Sequence, residues 1–201
     1  METEKTVKAL KYKSLNGLSE RQLAEHHGVL YAGYVKKVNE LRAKLPNADK
    51  STANGTYAEL RELKLEEGFA VNGVKLHESY FDDLGGNGVS EGEIKDLIAA
   101  DFGSYEKWEE EFRALGLCSR GWVVLAYDID DKKLRNYIAD VHNQGGVWNA
   151  IPLLVLDVYE HAYFLDYATA RKKYIDAFFQ NLDWKHVNSL LKLYKVKELR
   201  K

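Results

Sequence analysis

The sequence predicts an α+β protein: a long N-terminal helical hairpin, then a C-terminal domain in which helices surround a small three-stranded antiparallel sheet. Three observations predict it. Apolar residues recur at three- and four-residue steps through the first part of the chain, and after Gly121 the period drops to about two. Gly85-Gly86-Asn87-Gly88 separates the two regimes with residues of little backbone restraint. The apolar run Ile151-Pro152-Leu153-Leu154-Val155-Leu156 reads as a buried strand. The expected division is a helical hairpin domain over 1–84, a linker over 85–90 and an α/β domain over 91–201.

Each element has its own signal. Residues 1–17 read as an extended leader anchored by Leu10, Tyr12 and Leu15, with a turn at Asn16-Gly17. Ser19 is a helix N-cap, and Glu20 complements the dipole in the first turn. Leu23, His26, Leu30, Tyr34, Val38 and Leu41 define one face of the first helix, which stops at Pro46. A second helix is expected from near Thr56 to about Leu84, with Gly68 and Asn72-Gly73 as points of interruption. Two shorter helices follow, Glu91 to Ala100 and Tyr105 to Leu117. Gly121 to Tyr127, Leu134 to Val141 and the run 151–156 are the three strands. Glu160 to Leu182 reads as one long helix burying Ala162, Leu165, Ala168, Tyr174, Ala177 and Phe178, and a last helix runs from about Trp184 to Leu199.

Composition excludes several function classes. A chain of 201 residues with 45% hydrophobic and 30% charged residues reads as a soluble globular protein with a sizeable core. A net charge of -2 argues against nucleic-acid binding through bulk electrostatics. No apolar run approaches a membrane span, and residues 1–13 lack the pattern of a secretory signal. A single cysteine, Cys118, excludes an internal disulfide and a thiolate zinc cage, so a cytoplasmic location is expected.

The chemistry concentrates in histidine and one aspartate. Of six histidines, His26, His77 and His161 fall where apolar residues are expected, on three separate elements. Asp157 leaves the buried strand four residues before His161, at a strand-to-helix junction that points both side chains the same way. Singly, each histidine reads as a satisfied core residue and Asp157 as a helix cap. Together they favour one metal site, whose imidazole and carboxylate donors suit iron or manganese, with zinc as a further option. No Glu-x-x-His occurs, which argues against a carboxylate-bridged di-iron bundle. Phe81 stands four residues after His77, so the metalloprotease helix is missing as well.

These residues resemble a known family. His26-His27 followed by Tyr34-Val35, then His77, Gly121-Trp122 and Asp157-x-x-Glu160-His161-Ala162-Tyr163, are similar to the iron/manganese superoxide dismutases. Asp101-Phe102-Gly103-Ser104 and Asn181-Leu182-Asp183-Trp184 support the resemblance, which spans roughly residues 12 to 190. It implies that His26, His77, Asp157 and His161 hold one iron or manganese ion per chain, with a solvent molecule as fifth ligand. It implies that Tyr34 stands at the mouth of the substrate channel and that His142 bonds the metal's solvent. Glu160 would cross a two-fold interface to the partner's His161, in a homodimer or tetramer. Tyr163, Arg171, His27 and Trp122 would surround the site or the interface. Superoxide would be the substrate, steered by Arg171, Lys36 and Lys37.

The sequence departs from the family pattern around the ligands, not at them. Leu30 and Phe164 stand where His and Tyr are common, Phe81, Val124 and Tyr159 where Trp is frequent, and Gly73 where some iron forms carry Gln. The expected reaction alternates one ion between +3 and +2, giving dioxygen and then hydrogen peroxide. Asp157 would supply the charge favouring the oxidised ion, His142 would tune the solvent and Tyr34 would relay protons. Two other readings compete. One is a divergent family member kept as a metal-binding or structural protein; the other is a non-haem iron oxygenase, disfavoured because this ligand set leaves little room for substrate and dioxygen.

Overall fold

The structure, a computed structural model, describes residues 4–201; residues 1–3, the start of the expected leader, lie outside the described residues. The leader is extended and straps the first hairpin. Lys5 N–H donates to Asn39 Oδ1, Lys8 N–H to Tyr31 Oη and the Tyr12 hydroxyl to the Phe81 carbonyl.

The first helix occupies 20–44 as three continuous stretches. An α-turn, Glu20–Leu23, opens under the Ser19 cap; Ala24–Tyr31 is π-helical; Ala32–Lys44 is α-helical. The π stretch corrects the expected face. Gln22, Leu23, His26, Tyr31, Val35, Val38 and Leu41 are the buried positions, while Leu30 and Tyr34 are only partly buried. The five-residue step from His26 to Tyr31 is the extra residue of a wide turn, a feature enriched at functional sites. It rotates the second half of the helix so that Tyr34 leaves the core.

The second helix, Glu59–Asp82, runs without interruption through Gly68 and Gly73. Gly73 is a packing requirement: a Cβ there would lie 2.9 Å from the Tyr34 ring. The Gly85–Gly88 linker is also pinned in place. Gly85 and Gly86 N–H groups donate to the Asn181 carbonyl at 2.9 and 3.0 Å, and Gly88 N–H to Leu182 O at 3.1 Å. A Cβ on Gly86 would sit 2.2 Å from Leu182 O, so this glycine serves close backbone approach as well as turning.

Helices Glu93–Phe102 and Tyr105–Cys118 precede the sheet. The strands are β1 (Trp122–Asp128), β2 (Lys133–Ala139) and β3 (Ala150–Asp157), antiparallel in the order β2-β1-β3. Pro152 is accommodated because β3 is an edge strand with a register shift opposite Leu125 and Ala126. The last residue of β3, Asp157, pairs with Trp122, the first of β1.

The expected long helix over 160–182 is broken. Glu160–Ala162 is a 3₁₀ turn, Phe164–Tyr167 a single α-turn, and Arg171–Gln180 the helix proper. Ala168 carries the break with φ 46 and ψ -119, outside helical space, and Leu165 faces solvent at 49% exposure. The last helix is likewise shorter: Trp184–Leu193 ends before Lys195, which turns left-handed ahead of Val196–Leu199. Arg200 closes the chain on Asp101 through two hydrogen bonds of 2.6 and 2.8 Å.

Candidate metal centre

Four elements deliver one side chain each to a single buried point. His26 comes from the π stretch, His77 from the middle of Glu59–Asp82, Asp157 from the end of β3 and His161 from the 3₁₀ turn. Their ligand atoms all lie within 4.8 Å of one another. Asp157 Oδ2 is the focus: His26 Nε2 lies 3.1 Å away, His161 Nε2 3.2 Å and His77 Nε2 3.7 Å. The other oxygen, Oδ1, accepts the Tyr159 N–H at 2.9 Å, which fixes the plane of the carboxylate. The Tyr174 hydroxyl holds the Asp157 main chain, donating to its carbonyl at 2.6 Å.

The positions of the ring protons suit this group to a cation. His77 Nδ1 lies 2.6 Å from the Gly73 carbonyl, and only an N–H fits that contact. Burial pushes the His77 pKa down to about 3, so the ring is neutral and its Nε2 is a bare lone pair. That lone pair has no hydrogen-bond partner and faces a carboxylate oxygen in a fully buried space. Two acceptors turned toward each other without a donor leave a place for a cation.

The other charges agree. Burial would raise the Asp157 carboxyl, but the charge and hydrogen bond of His161, with His26 behind it, hold it well below the usual carboxylate range. Burial lowers His26 against the pull of Asp157. His161 is the exception: burial would lower it, yet the charge and hydrogen bond of Asp157 raise it, which favours a proton on this ring when no cation is bound.

A hydrogen-bonded chain leads outward. The Trp122 indole N–H donates to His142 Nδ1 at 3.0 Å, and His142 Nε2 lies 2.8 Å from Tyr34 Oη. Burial lowers the His142 pKa to about 4, so the ring carries one proton, and the indole forces it onto Nε2. His142 therefore donates to Tyr34, whose own hydroxyl proton remains free to donate further. Burial, with the Asp157 charge, raises the Tyr34 pKa and keeps that proton on the oxygen.

The remaining expected residues are placed as follows. His27 Nε2 bonds the Lys8 carbonyl at 2.9 Å and its ring packs on Tyr31 and Phe81, so it joins leader to hairpin beside the centre. Tyr163 stacks on Tyr174 and accepts from Arg171 Nε at 3.0 Å. The rest of the Arg171 guanidinium donates to the Ser119 and Leu117 carbonyls. Lys36 and Lys37 are solvated and paired with Glu40. Glu160 is exposed beside His161. Sequence reasoning missed Gln22; it gave Tyr174 only as a buried helix position and Tyr159 only as a departure from the family's aromatic pattern. Tyr159 stacks on His161 with centroids 5.1 Å apart and planes 14° apart.

Comparison with known proteins identifies the lineage. Residues 90–190 match the family described as iron/manganese superoxide dismutases, C-terminal domain. The chain is 44% identical to the iron superoxide dismutase of Aquifex aeolicus, over 89% of this chain and 86% of that protein. It is 42% identical to the iron superoxide dismutase of Cupriavidus metallidurans, over 85% and 86%. Against the manganese superoxide dismutase of Haloarcula marismortui it is 38% identical, over 83% and 82%. The chain belongs to the iron/manganese superoxide dismutase family.

Proposed function

We propose that the chain converts superoxide to dioxygen and hydrogen peroxide with one iron or manganese ion held by His26, His77, Asp157 and His161. Two superoxide ions and two protons yield one dioxygen and one peroxide, so the site must move electrons and protons together. The observation that carries the reading is the bare His77 Nε2 turned to Asp157 Oδ2 at 3.7 Å, both side chains fully buried. When bound, such an ion supplies one-electron exchange between successive superoxide molecules. The three imidazoles and one carboxylate limit the charge a +2 or +3 ion leaves uncompensated in a dry pocket. Tyr80 and Phe81 pack on His26 and Tyr159 stacks on His161, which limits water around these rings. Tyr34 is the proton donor for departing peroxide, oriented by His142 and through it by Trp122. Residues 1–84 and 91–201, joined through 85–90, contribute two ligands each, so the site closes only when the halves pack.

The active unit is a homodimer in this reading. Glu160 lies exposed beside His161, and Phe164 and Leu165, just along the chain, add apolar surface at 47% and 49% exposure. Glu160 would reach His161 of the partner subunit, and Leu30 and Phe164 would meet across the two-fold as an apolar pair. The exposed, unpaired Cys118 supports a reducing compartment such as the cytoplasm.

Loading the protein separately with iron and manganese, then measuring bound metal and superoxide consumption, tests the reading. Stoichiometric metal with no consumption in either form would favour a metal-binding relative without the activity. Glu160→Ala should weaken dimerisation and metal retention together; a fully metallated, monodisperse monomer would refute the interface.

A further inference from the structure

Gln22 lies four residues before His26 on the first helix and is 1% exposed. Both ends of its amide are used on the turn that carries His161. Nε2 donates to the His161 carbonyl at 2.7 Å, and Oε1 accepts the Leu165 N–H at 3.1 Å. The reaction scheme above gives this residue no part.

Three residues of 3₁₀ helix and four of α-helix lie between Tyr159 and Ala168, where the backbone turns out of helical space. The N–H groups of Ala162, Tyr163, Asp166, Tyr167 and Ala168 bond to carbonyls of the same segment, whereas the His161 carbonyl and the Leu165 N–H are met by Gln22. His161 is also the one member of the metal cluster whose side chain reaches solvent, at 26% exposure. Its ring is held by Asp157 and by stacking on Tyr159. Its main chain is held by Gln22.

Adjacent hydrogen bonds continue the seam away from the ligand. Ser19 N–H donates to Asp166 Oδ2 at 2.7 Å, and the Tyr167 hydroxyl donates to Gly17 O at 2.6 Å. Of these bonds between 17–22 and 161–167, the one from Gln22 alone meets the main chain of a metal-cluster residue.

We infer that Gln22 is a positioning residue: its amide couples the helix bearing His26 to the turn bearing His161 and fixes the separation of their Nε2 atoms around the ion. The chemistry selects glutamine. A donor is needed for the carbonyl and an acceptor for the N–H, at the end of a reach that leucine and methionine fill without polarity. The inference rests on the proposed iron or manganese site, and its test separates the two.

Full-length protein loaded with iron or manganese is challenged with excess EDTA, and metal release, the electron paramagnetic resonance of the ferric form and thermal unfolding are recorded. Gln22→Leu and Gln22→Met are expected to release metal at least about tenfold faster and to shift the ferric signal, as for other groups that orient metal ligands. Asp166→Asn weakens the neighbouring seam bond from Ser19 and should lower thermal stability while keeping wild-type release and spectrum. If Gln22→Leu does not fold, Gln22→Met decides, because it keeps the length of the side chain and removes only its polarity. Wild-type release and spectra in the Gln22 variants, or the same changes in Asp166→Asn, would overturn the inference alone. A wild-type chain that takes up neither ion would overturn the proposed function and this inference with it.

Discussion

Two carboxylates lie fully buried along the same strand, and their surroundings shift them in opposite directions. Asp157 ends β3 and points at three imidazole nitrogens. Asp83, just past the second helix, reaches under β3 and accepts one N–H, from Val155, at 2.8 Å. Its other oxygen has no hydrogen-bond partner and lies 3.8 Å from His186 Nε2. Histidine neighbours hold Asp157 ionised; burial pushes Asp83 well above the usual carboxylate range, and the same burial lowers His186. Burial thus favours the carboxyl form of Asp83 and the neutral form of His186, an uncharged pair. Burial is common to both residues. What makes one a candidate site is the number of nitrogen donors converging on a single oxygen, enough to keep a charge where water cannot reach it.

Asp157→Asn breaks the comparison at its strongest point. It removes the anion while keeping the size, leaving three imidazoles without the charge that offsets a cation. We expect metal to be lost on dialysis against chelator and superoxide consumption to fall to background, beyond the about 10–100-fold typical of an outer-shell partner. Metal analysis and a superoxide assay on the same preparation check this. Retained metal would show that the carboxylate is not a ligand.

The acid side of the metal-free protein gives the next effect. His77 has a folded pKa of about 3 against an unfolded value near 6.5. Below pH 6.5 the unfolded chain binds a proton that folded His77 refuses. Stability therefore falls with pH from 6.5 toward 3, by up to about 1.4 kcal/mol per unit for this one group. Asp157 adds in the same sense lower down, since a depressed carboxyl loses its contribution as pH falls below its unfolded value. His161 runs the other way. Its raised pKa favours the metal-free fold below pH 6.5, and that contribution is lost as pH rises through the folded value. A cation must displace that proton, so metal affinity should climb over the window in which His161 loses it. Denaturant titrations of metal-free protein from pH 4 to 8 check the first claim; a flat profile below pH 6.5 would contradict it.

How much of this was legible in the sequence follows from which signals are local. The four clustered side chains and the α+β order were legible, because strand and helix periods and the spacing of Asp157 and His161 are short-range features. The π turn was not. A strict 3.6-residue period placed Leu30 and Tyr34 in the core, and only the paired apolar positions Tyr31 and Val35 hinted at an added residue. The break at Ala168 was equally hidden, since alanine favours helix and nothing in Tyr167-Ala168-Thr169 marks a left-handed turn. Tertiary bonds from Gln22 and Gly17 to this segment accompany the break, and no window along the chain contains them. Asp83 could not be distinguished from its neighbour Asp82 by sequence either, although one is buried and the other pairs with Lys8 and Lys11.

The smallest effect is expected at Asp83 and completes the comparison. Asn in its place keeps the acceptor for Val155 N–H and offers an N–H toward His186 Nε2, where the carboxylic proton now resides. The neutral side chain is thus reproduced, and metal content and activity should not change. Stability should show a sign that burial alone dictates. A carboxyl whose folded pKa lies above its unfolded one contributes fully below the unfolded value and loses that contribution as pH rises through the folded value. Asparagine has no proton to lose. Asp83→Asn should therefore match the wild type within about 1 kcal/mol near pH 4 and gain on it steadily toward pH 8, in unfolding curves recorded across that range. A variant that loses metal, or falls behind the wild type at pH 8, would mean that Asp83 is held as an anion. The single N–H from Val155 would then be sustaining a buried charge that at Asp157 takes three histidines.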